Sequence, residues 1–308
     1  MTDYKYVYGP VPSRRMGISL GISPIPKGHC NYSCIYCQLG RTRNMTNERK
    51  MYFNLTDLIE EFKTYSKENI AFDVVTIVGE GEPTLYKGLG DLINGLKLLT
   101  DKPIAVITNG ALLSSSQVRD ELKNADIVLP SLDASNEEMF KKINRPHGSI
   151  HFNNVVNGLI TFSKEYKGQL WLETMIVKDI NDNKEFFLDF KELLSKINYH
   201  ALYINSPVRP PAESFVKQAS NEIMKEAVSI LDGISIDTLV SEGFYSEMKD
   251  DYEAILSIIK RHPMNQFEIK AFIEQRKKSD THDFFIRLNN DSNIDVVKYK
   301  GYSTYRLH

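Results

Sequence analysis

The sequence predicts an α/β protein, a partial (β/α)6 TIM-like barrel followed by a small C-terminal winged-helix-like module. Three observations carry this expectation. Six short apolar runs alternate with amphipathic stretches between residues 17 and 231. Several runs are apolar at nearly every position, as in Val74-Val75-Thr76-Ile77-Val78, which suits strands buried on both faces of a parallel sheet. A full eight-unit barrel takes about 250 residues, so six units over this span leave the circle open. The alternation then changes near Ser246, which divides the chain into a barrel over 1–245 and a module over 246–308.

The strand runs are residues 17–25, 74–78, 104–108, 127–132, 170–177 and 201–206. Helices are predicted over 55–65, with Asn54 or Thr56 as N-cap, and over 89–99, 114–123, 153–164, 184–196 and 221–231. Each β-then-α unit implies a right-handed crossover, and the site then lies at the C-terminal ends of the strands. Past residue 246 the pattern reads as helices over 250–261, 266–274 and 280–288, the first ended by Pro263. Two short strands follow, 294–299 and 303–307, joined around Gly301. Three helices and a hairpin suggest the winged-helix-like arrangement.

The 308 residues carry 38 Lys+Arg against 40 Asp+Glu, a net charge of −2, with 42% hydrophobic residues. This excludes collagen-like, disordered and coiled-coil chains. No apolar run reaches the length of a membrane span, so no membrane partner is expected, and residues 1–8 lack a signal-peptide core. Balanced charge makes no global demand for nucleic acid. In the C-terminal module only Arg276-Lys277-Lys278 is clustered. A packing, dimerisation or substrate-docking role is therefore expected there rather than DNA binding.

All three cysteines fall in one motif, Cys30-x3-Cys34-x2-Cys37. Disulfides within it would close only tiny loops, and an odd, sparse count points to a reduced, cytoplasmic setting. A structural zinc site wants four ligands, which His29 or a carboxylate would have to complete. A cubane iron–sulfur cluster is normally held by four thiolates, so three would leave one iron open. Three cysteines that are merely neighbours in the core are the remaining reading.

Further polar residues sit where apolar runs end. Gly79-Glu80-Gly81-Glu82-Pro83 follows the second run, Asn109-Gly110 the third, and Ser131 and Asp133 end the fourth. Alternation places Ser131 and Asp133 on one strand face, although both also suit turn or capping roles. Glu173 lies within an apolar strand, where a carboxylate needs a partner, either a ligand or a buried ion pair. Arg14, Arg15, Arg41, Arg43, Arg145, His147 and Arg209 fall in predicted loops. Taken singly they read as solvated or structural, with Arg209 best placed to reach a substrate or cofactor.

The cysteine motif, with Tyr36 before its third cysteine, resembles that of the radical SAM superfamily. The resemblance implies that Cys30, Cys34 and Cys37 hold three irons of a 4Fe–4S cluster. S-adenosylmethionine would chelate the fourth and be cleaved to methionine and a 5′-deoxyadenosyl radical that abstracts a substrate hydrogen. Gly79–Pro83 resembles the family's Gly-Gly-Glu-type motif, which binds the methionine ammonium. Glu80 stands where a glycine is common, and Glu82 is the favoured acid. The cofactor-binding set implied is Tyr36, Gly79, Glu80, Gly81, Glu82, Asn109, Ser131, Asp133 and Glu173.

Residues 8–22, 37–42 and Asn144-Arg145-Pro146 further resemble short Fe–S oxidoreductases related to the wybutosine-synthesis (4-demethylwyosine synthase-like) radical SAM proteins. The chain lacks the extra cysteines of the archaeal synthases and the flavodoxin domain of the eukaryotic ones. The resemblance therefore implies one cluster and an external electron donor, ferredoxin or flavodoxin. The substrate would be an RNA or a small molecule. The rival expectations are an activating enzyme that acts on a protein glycine, and a non-enzymatic iron–sulfur sensor whose winged helix binds DNA.

Overall fold

The computed structural model describes residues 4–68, 71–236, 244, 250–260, 262–276, 281–299 and 301–307. The chain opens with an antiparallel pair, β1 (Val7–Ser13) and β2 (Gly17–Ile22). Two short strands, β3 (His29–Cys30) and β4 (Asn44–Met45), bracket the cysteine loop and pair in parallel. The repeating part follows as α1 (Leu55–Ser66), β5 (Val74–Ile77), α2 (Leu89–Lys97), β6 (Ile104–Thr108), α3 (Ser116–Leu122) and β7 (Ile127–Pro130). It continues through α4 (Glu137–Ile143), α5 (Phe152–Glu165), β8 (Gln169–Met175), α6 (Lys184–Leu194), β9 (Ala201–Asn205), α7 (Asn221–Leu231) and β10 (Ile234–Ser235).

The strand order of the main sheet is β1-β2-β5-β6-β7-β8-β9-β10. From β2 to β10 every pairing is parallel. This is the open (β/α) architecture expected from the apolar runs. Both faces of the sheet are covered, and β5 and β7 are buried at every position. Helices present one apolar stripe each: Leu58, Phe62 and Tyr65 on α1, and Leu89, Leu92, Ile93 and Leu96 on α2. Each such side chain contributes about 1.5–3 kcal/mol by leaving water. Asparagines begin several helices, with Asn54, Asn136 and Asn183 accepting from backbone N–H groups of the first turn.

Several elements depart from the sequence expectation, among them β1, α4 and β7, besides the two-residue strands β3, β4 and β10. β1 contains Pro10 and Pro12, which read as loop, yet at a sheet edge a missing N–H is tolerated, and a bulge between Tyr8 and Val11 absorbs the irregularity. The short α4 has too few turns for a periodic signal. β7 ends at Pro130 rather than at residue 132, which changes where the residues after it point.

The C-terminal elements are α8 (Asp251–Ile259), β11 (Met264–Asn265), α9 (Gln266–Gln275), α10 (His282–Asn290), β12 (Ile294–Tyr299) and β13 (Tyr302–Leu307). The three strands form an antiparallel sheet in the order β11-β13-β12. Ile255, Ile258, Ile259, Ile269, Phe272, Ile273, Leu288 and Tyr305 form a core of their own with Phe244, and Val11 of β1 packs against it. The boundary at 245/246 and the Lys277-Lys278 part of the basic cluster lie outside the described residues, as do Arg261 and residue 280 at the ends of two predicted helices. No helix among the described residues is long and apolar enough to cross a membrane.

Candidate active site

The cysteine loop leaves β2 and is clamped against the loop after β5. Gly28 N–H donates to the Glu80 carbonyl at 2.7 Å, and Glu82 N–H donates to the His29 carbonyl at 3.0 Å. That approach explains Gly81, because a Cβ there would fall onto the His29 carbonyl oxygen. The loop then turns back on itself through Cys37 N–H to the Cys34 carbonyl, 3.1 Å. Cys30, Cys34 and Cys37 all line one cavity of about 680 Å³, a size suited to a cofactor and a small substrate.

Burial pushes the Cys30 thiol up to about 12, helped by the charge of Glu82. Burial raises Cys34 and Cys37 as well, and Asp133, Cys30 and Cys37 add to the shift at Cys34. Three mutually repelling thiols therefore ionise only when a cationic group enters among them. N–H groups already face two sulfurs: Asn109 Nδ2 lies 3.7 Å from Cys30 Sγ, and Asn144 Nδ2 lies 3.5 Å from Cys34 Sγ. Among the described residues no three His, Cys, Asp or Glu side chains converge on a single-ion site. The thiols instead border the wider cavity. This donor set fits a thiolate-held metal cluster.

Glu82 is buried and knits two strand ends together. Its carboxylate accepts from Thr84 N (2.9 Å), Thr84 Oγ1 (2.6 Å), Thr108 Oγ1 (2.6 Å) and Asn109 N (2.7 Å). Burial raises its pKa, and these donors oppose the rise. Both oxygens are thus committed to protein donors, which sequence reading did not foresee for the favoured ligand-facing acid. Glu80 lies 3.8 Å from Lys260 at the end of α8.

Tyr36 and Asp133 are brought together: Tyr36 Oη donates to Asp133 Oδ2 at 2.6 Å. Asn144 Nδ2 also donates to Oδ2 at 2.6 Å, and Met175 N to Oδ1 at 2.8 Å. This corrects the expectation for Asp133. Pairing runs one bridge past the end of β7, from Ser131 to Glu173, and Asp133 beyond it is engaged by neighbouring protein donors. Ser131 borders the cavity, whereas Asp133 is absent from its wall and braces Tyr36 and Asn144 from behind. Gly79, Glu80, Gly81, Glu82, Asn109 and Glu173 line the cavity beside the thiols.

Glu173 forms an ion pair with Arg15, and Asn205 Nδ2 donates to it at 3.1 Å. Desolvation draws the Arg15 pKa down to about 10. Arg15 is therefore a buried wall residue, not the solvated loop arginine that its neighbourhood suggests. Sequence reading also passed over Asn205, and it used Asn144 only as part of the resemblance. A polar residue directly after an apolar strand was the available signal for Asn205.

The far wall comes from the C-terminal elements, with Phe244, His262, Glu268, Ala271 and Phe272. Arg209, expected to reach a ligand, is engaged there: it donates to the Pro263 carbonyl, meets His262 Nε2 at 2.5 Å and lies 3.5 Å from Glu268. Since a guanidinium has no acceptor, His262 Nε2 must be unprotonated. Desolvation, then the charges of Arg209, Arg14 and Arg15, hold its pKa well below the usual imidazole value. Arg41, at the cavity wall, and Arg145 converge on Glu213.

A family model described as the radical SAM superfamily matches residues 25–190. The UPF0026 protein MJ1312 of Methanocaldococcus jannaschii is 34% identical over 304 residues, covering 96% of this chain and 93% of that protein. A Brachyspira hyodysenteriae protein named GTPase Obg is 43% identical over 223 residues, which is 72% of this chain but only 33% of that protein. A solved structure of TYW1 with a lysine-pyruvate adduct bound superposes with a TM-score of 0.53 at 20% identity, covering 70% of this chain and 72% of the other.

Proposed function

The chain belongs to the radical SAM superfamily, and from that premise we propose that the cavity bordered by the three cysteines is the seat of S-adenosylmethionine cleavage. Members of the family are enzymes that bind a 4Fe–4S cluster and S-adenosylmethionine. The observation that carries the proposal is the meeting of three part-buried thiols, the Gly79–Glu82 loop, Asn109 and Ser131 around one space. Cys30, Cys34 and Cys37 hold three irons, while Asn109 and Asn144 donate toward the sulfurs. When bound, the cluster supplies an electron that splits the sulfonium into methionine and a 5′-deoxyadenosyl radical.

The chain's own groups bind and orient. The loop at Gly79–Glu82 offers backbone and the fixed negative charge of Glu82 to the methionine ammonium. Asn109 and Ser131, at the ends of neighbouring strands, face the same cofactor. Tyr36 is held in one orientation by Asp133. Glu173 and Arg15 border the substrate end. That end also carries Arg14 and Arg209, which suits a small molecule or nucleotide with anionic groups. The electron comes from an external donor, ferredoxin or flavodoxin. Residues 246–308 form a separate winged-helix-like module that closes the cavity.

The test is anaerobic reconstitution with iron and sulfide, then dithionite and S-adenosylmethionine. The wild type should be brown, hold about four irons per chain and release 5′-deoxyadenosine. Cys34→Ala should do neither. Undiminished 5′-deoxyadenosine from Cys34→Ala would overturn the assignment.

A further inference from the structure

β13 carries a charged group that the site described above does not use. Arg306 projects from this strand toward the cysteine loop. Its Nε pairs with Asp295 on β12 at 3.2 Å, but its Nη1 is buried with no hydrogen-bond partner. A buried guanidinium nitrogen left unpaired costs free energy, so a group that repays the cost belongs nearby. The loop beside it supplies the candidate. A Cβ built on Gly40 would lie 3.9 Å from Arg306 Nη1, and Gly40 N–H donates to the Cys37 carbonyl at 3.2 Å. A second bond fixes the strand to this loop: Lys27 Nζ donates to the Leu307 carbonyl at 2.7 Å.

We propose that Arg306 is a positioning residue that sets the reduction potential of the cluster by placing a part-buried positive charge against the loop that carries Cys37. This rests on the reading of the site given above. Charge and hydrogen bonding around the sulfurs are the protein's means of tuning such a cluster. Reduction adds an electron to the cluster, and a nearby cation stabilises the reduced form more than the oxidised one. Arg306 therefore raises the potential and eases electron entry. The C-terminal elements are on this view part of the electron-accepting site, and not only a lid over the substrate.

The experiment is a reductive titration of the reconstituted full-length protein, followed by electron paramagnetic resonance, on wild type, Arg306→Met, Arg306→Lys and Asp295→Asn. Iron content is measured in parallel. Arg306→Met should move the midpoint to a more negative value at unchanged iron content. Arg306→Lys, which keeps the charge, should stay near wild type. Asp295→Asn, which removes the counter-charge, should move the midpoint the opposite way. An unchanged midpoint in loaded Arg306→Met would overturn the proposal alone. Equal shifts in Arg306→Met and Arg306→Lys would also overturn it, because packing would then be the cause. A wild type that takes up iron in no 4Fe–4S form would overturn the reading of the site and this proposal with it.

Discussion

Around the loop after β5 and just past the end of β7, carboxylates are satisfied by neutral donors; towards Arg15 and the C-terminal elements, they are satisfied by guanidinium groups. Glu82 takes N–H and O–H groups from Thr84, Thr108 and Asn109. Asp133 takes Tyr36, Asn144 and the Met175 amide. These donors sit at or near the ends of neighbouring parallel strands, so folding the sheet assembles them. Glu268 and Glu173 instead pair with Arg209 and Arg15, which arrive from distant parts of the chain. The side at Glu82 and Asp133 is thus fixed by neutral hydrogen bonds, which salt weakens little. The wall at Glu173 and Glu268 is held by charge, which salt and protons weaken.

The sharpest way to test this contrast is the Arg15–Glu173 pair. Arg15→Met leaves a buried carboxylate alone and should cost about 3 kcal/mol. The double change Arg15→Met with Glu173→Leu should recover most of that loss, read from urea midpoints. If the double variant is no better than the single one, the pair is not what holds that wall. Glu82→Gln comes next. It turns an amide NH2 toward buried donors and should cost about 2 kcal/mol, with a loss that does not change between low and high salt. A strongly salt-dependent loss would break the comparison.

Asn265→Ala removes the capping box of α9, in which Asn265 Oδ1 accepts from Phe267 and Glu268 N–H groups while Glu268 Oε2 accepts from Asn265 N–H. About 1 kcal/mol is expected, appearing as earlier proteolysis of the C-terminal elements with the barrel intact. The smallest effect is on pH. The folded pKa of His262 lies below its unfolded value near 6.5, so the folded state binds fewer protons. Its stabilising contribution is present above pH 6.5 and is lost as pH falls through that value toward the folded pKa. His262→Phe should flatten this part of the stability profile, and an unaltered slope would show that the imidazole is not neutral in the fold.

The residues readable from sequence were those whose chemistry and position agree locally. Three cysteines in one loop, and polar residues directly after buried strands, announced Cys30, Cys34, Cys37, Glu82, Asn109 and Ser131 as neighbours. The alternating strands and helices likewise announced the parallel sheet. Asp133 was misplaced because the groups that engage it, Tyr36, Asn144 and the Met175 amide, come from other loops and strands. Arg15 was undervalued because its partner, Glu173, is remote in sequence and only the folded sheet brings them together. β1 was hidden by its prolines, which an edge strand accepts and a central one does not. What sequence could not convey in each case was a long-range contact.

The parallel order of the strands also has a kinetic side. Neighbours in such a sheet meet only after a crossover has been closed, and the entropy of closing it comes before any contact is gained. Cys30 finds Asn109 after β6 is in place, and Cys34 finds Asn144 only once α4 has packed. Until then the chain offers iron three ordinary flexible thiols. The cysteine loop is therefore early in sequence but late in folding, and iron supplied to the folded protein should be taken up more selectively than iron supplied during refolding.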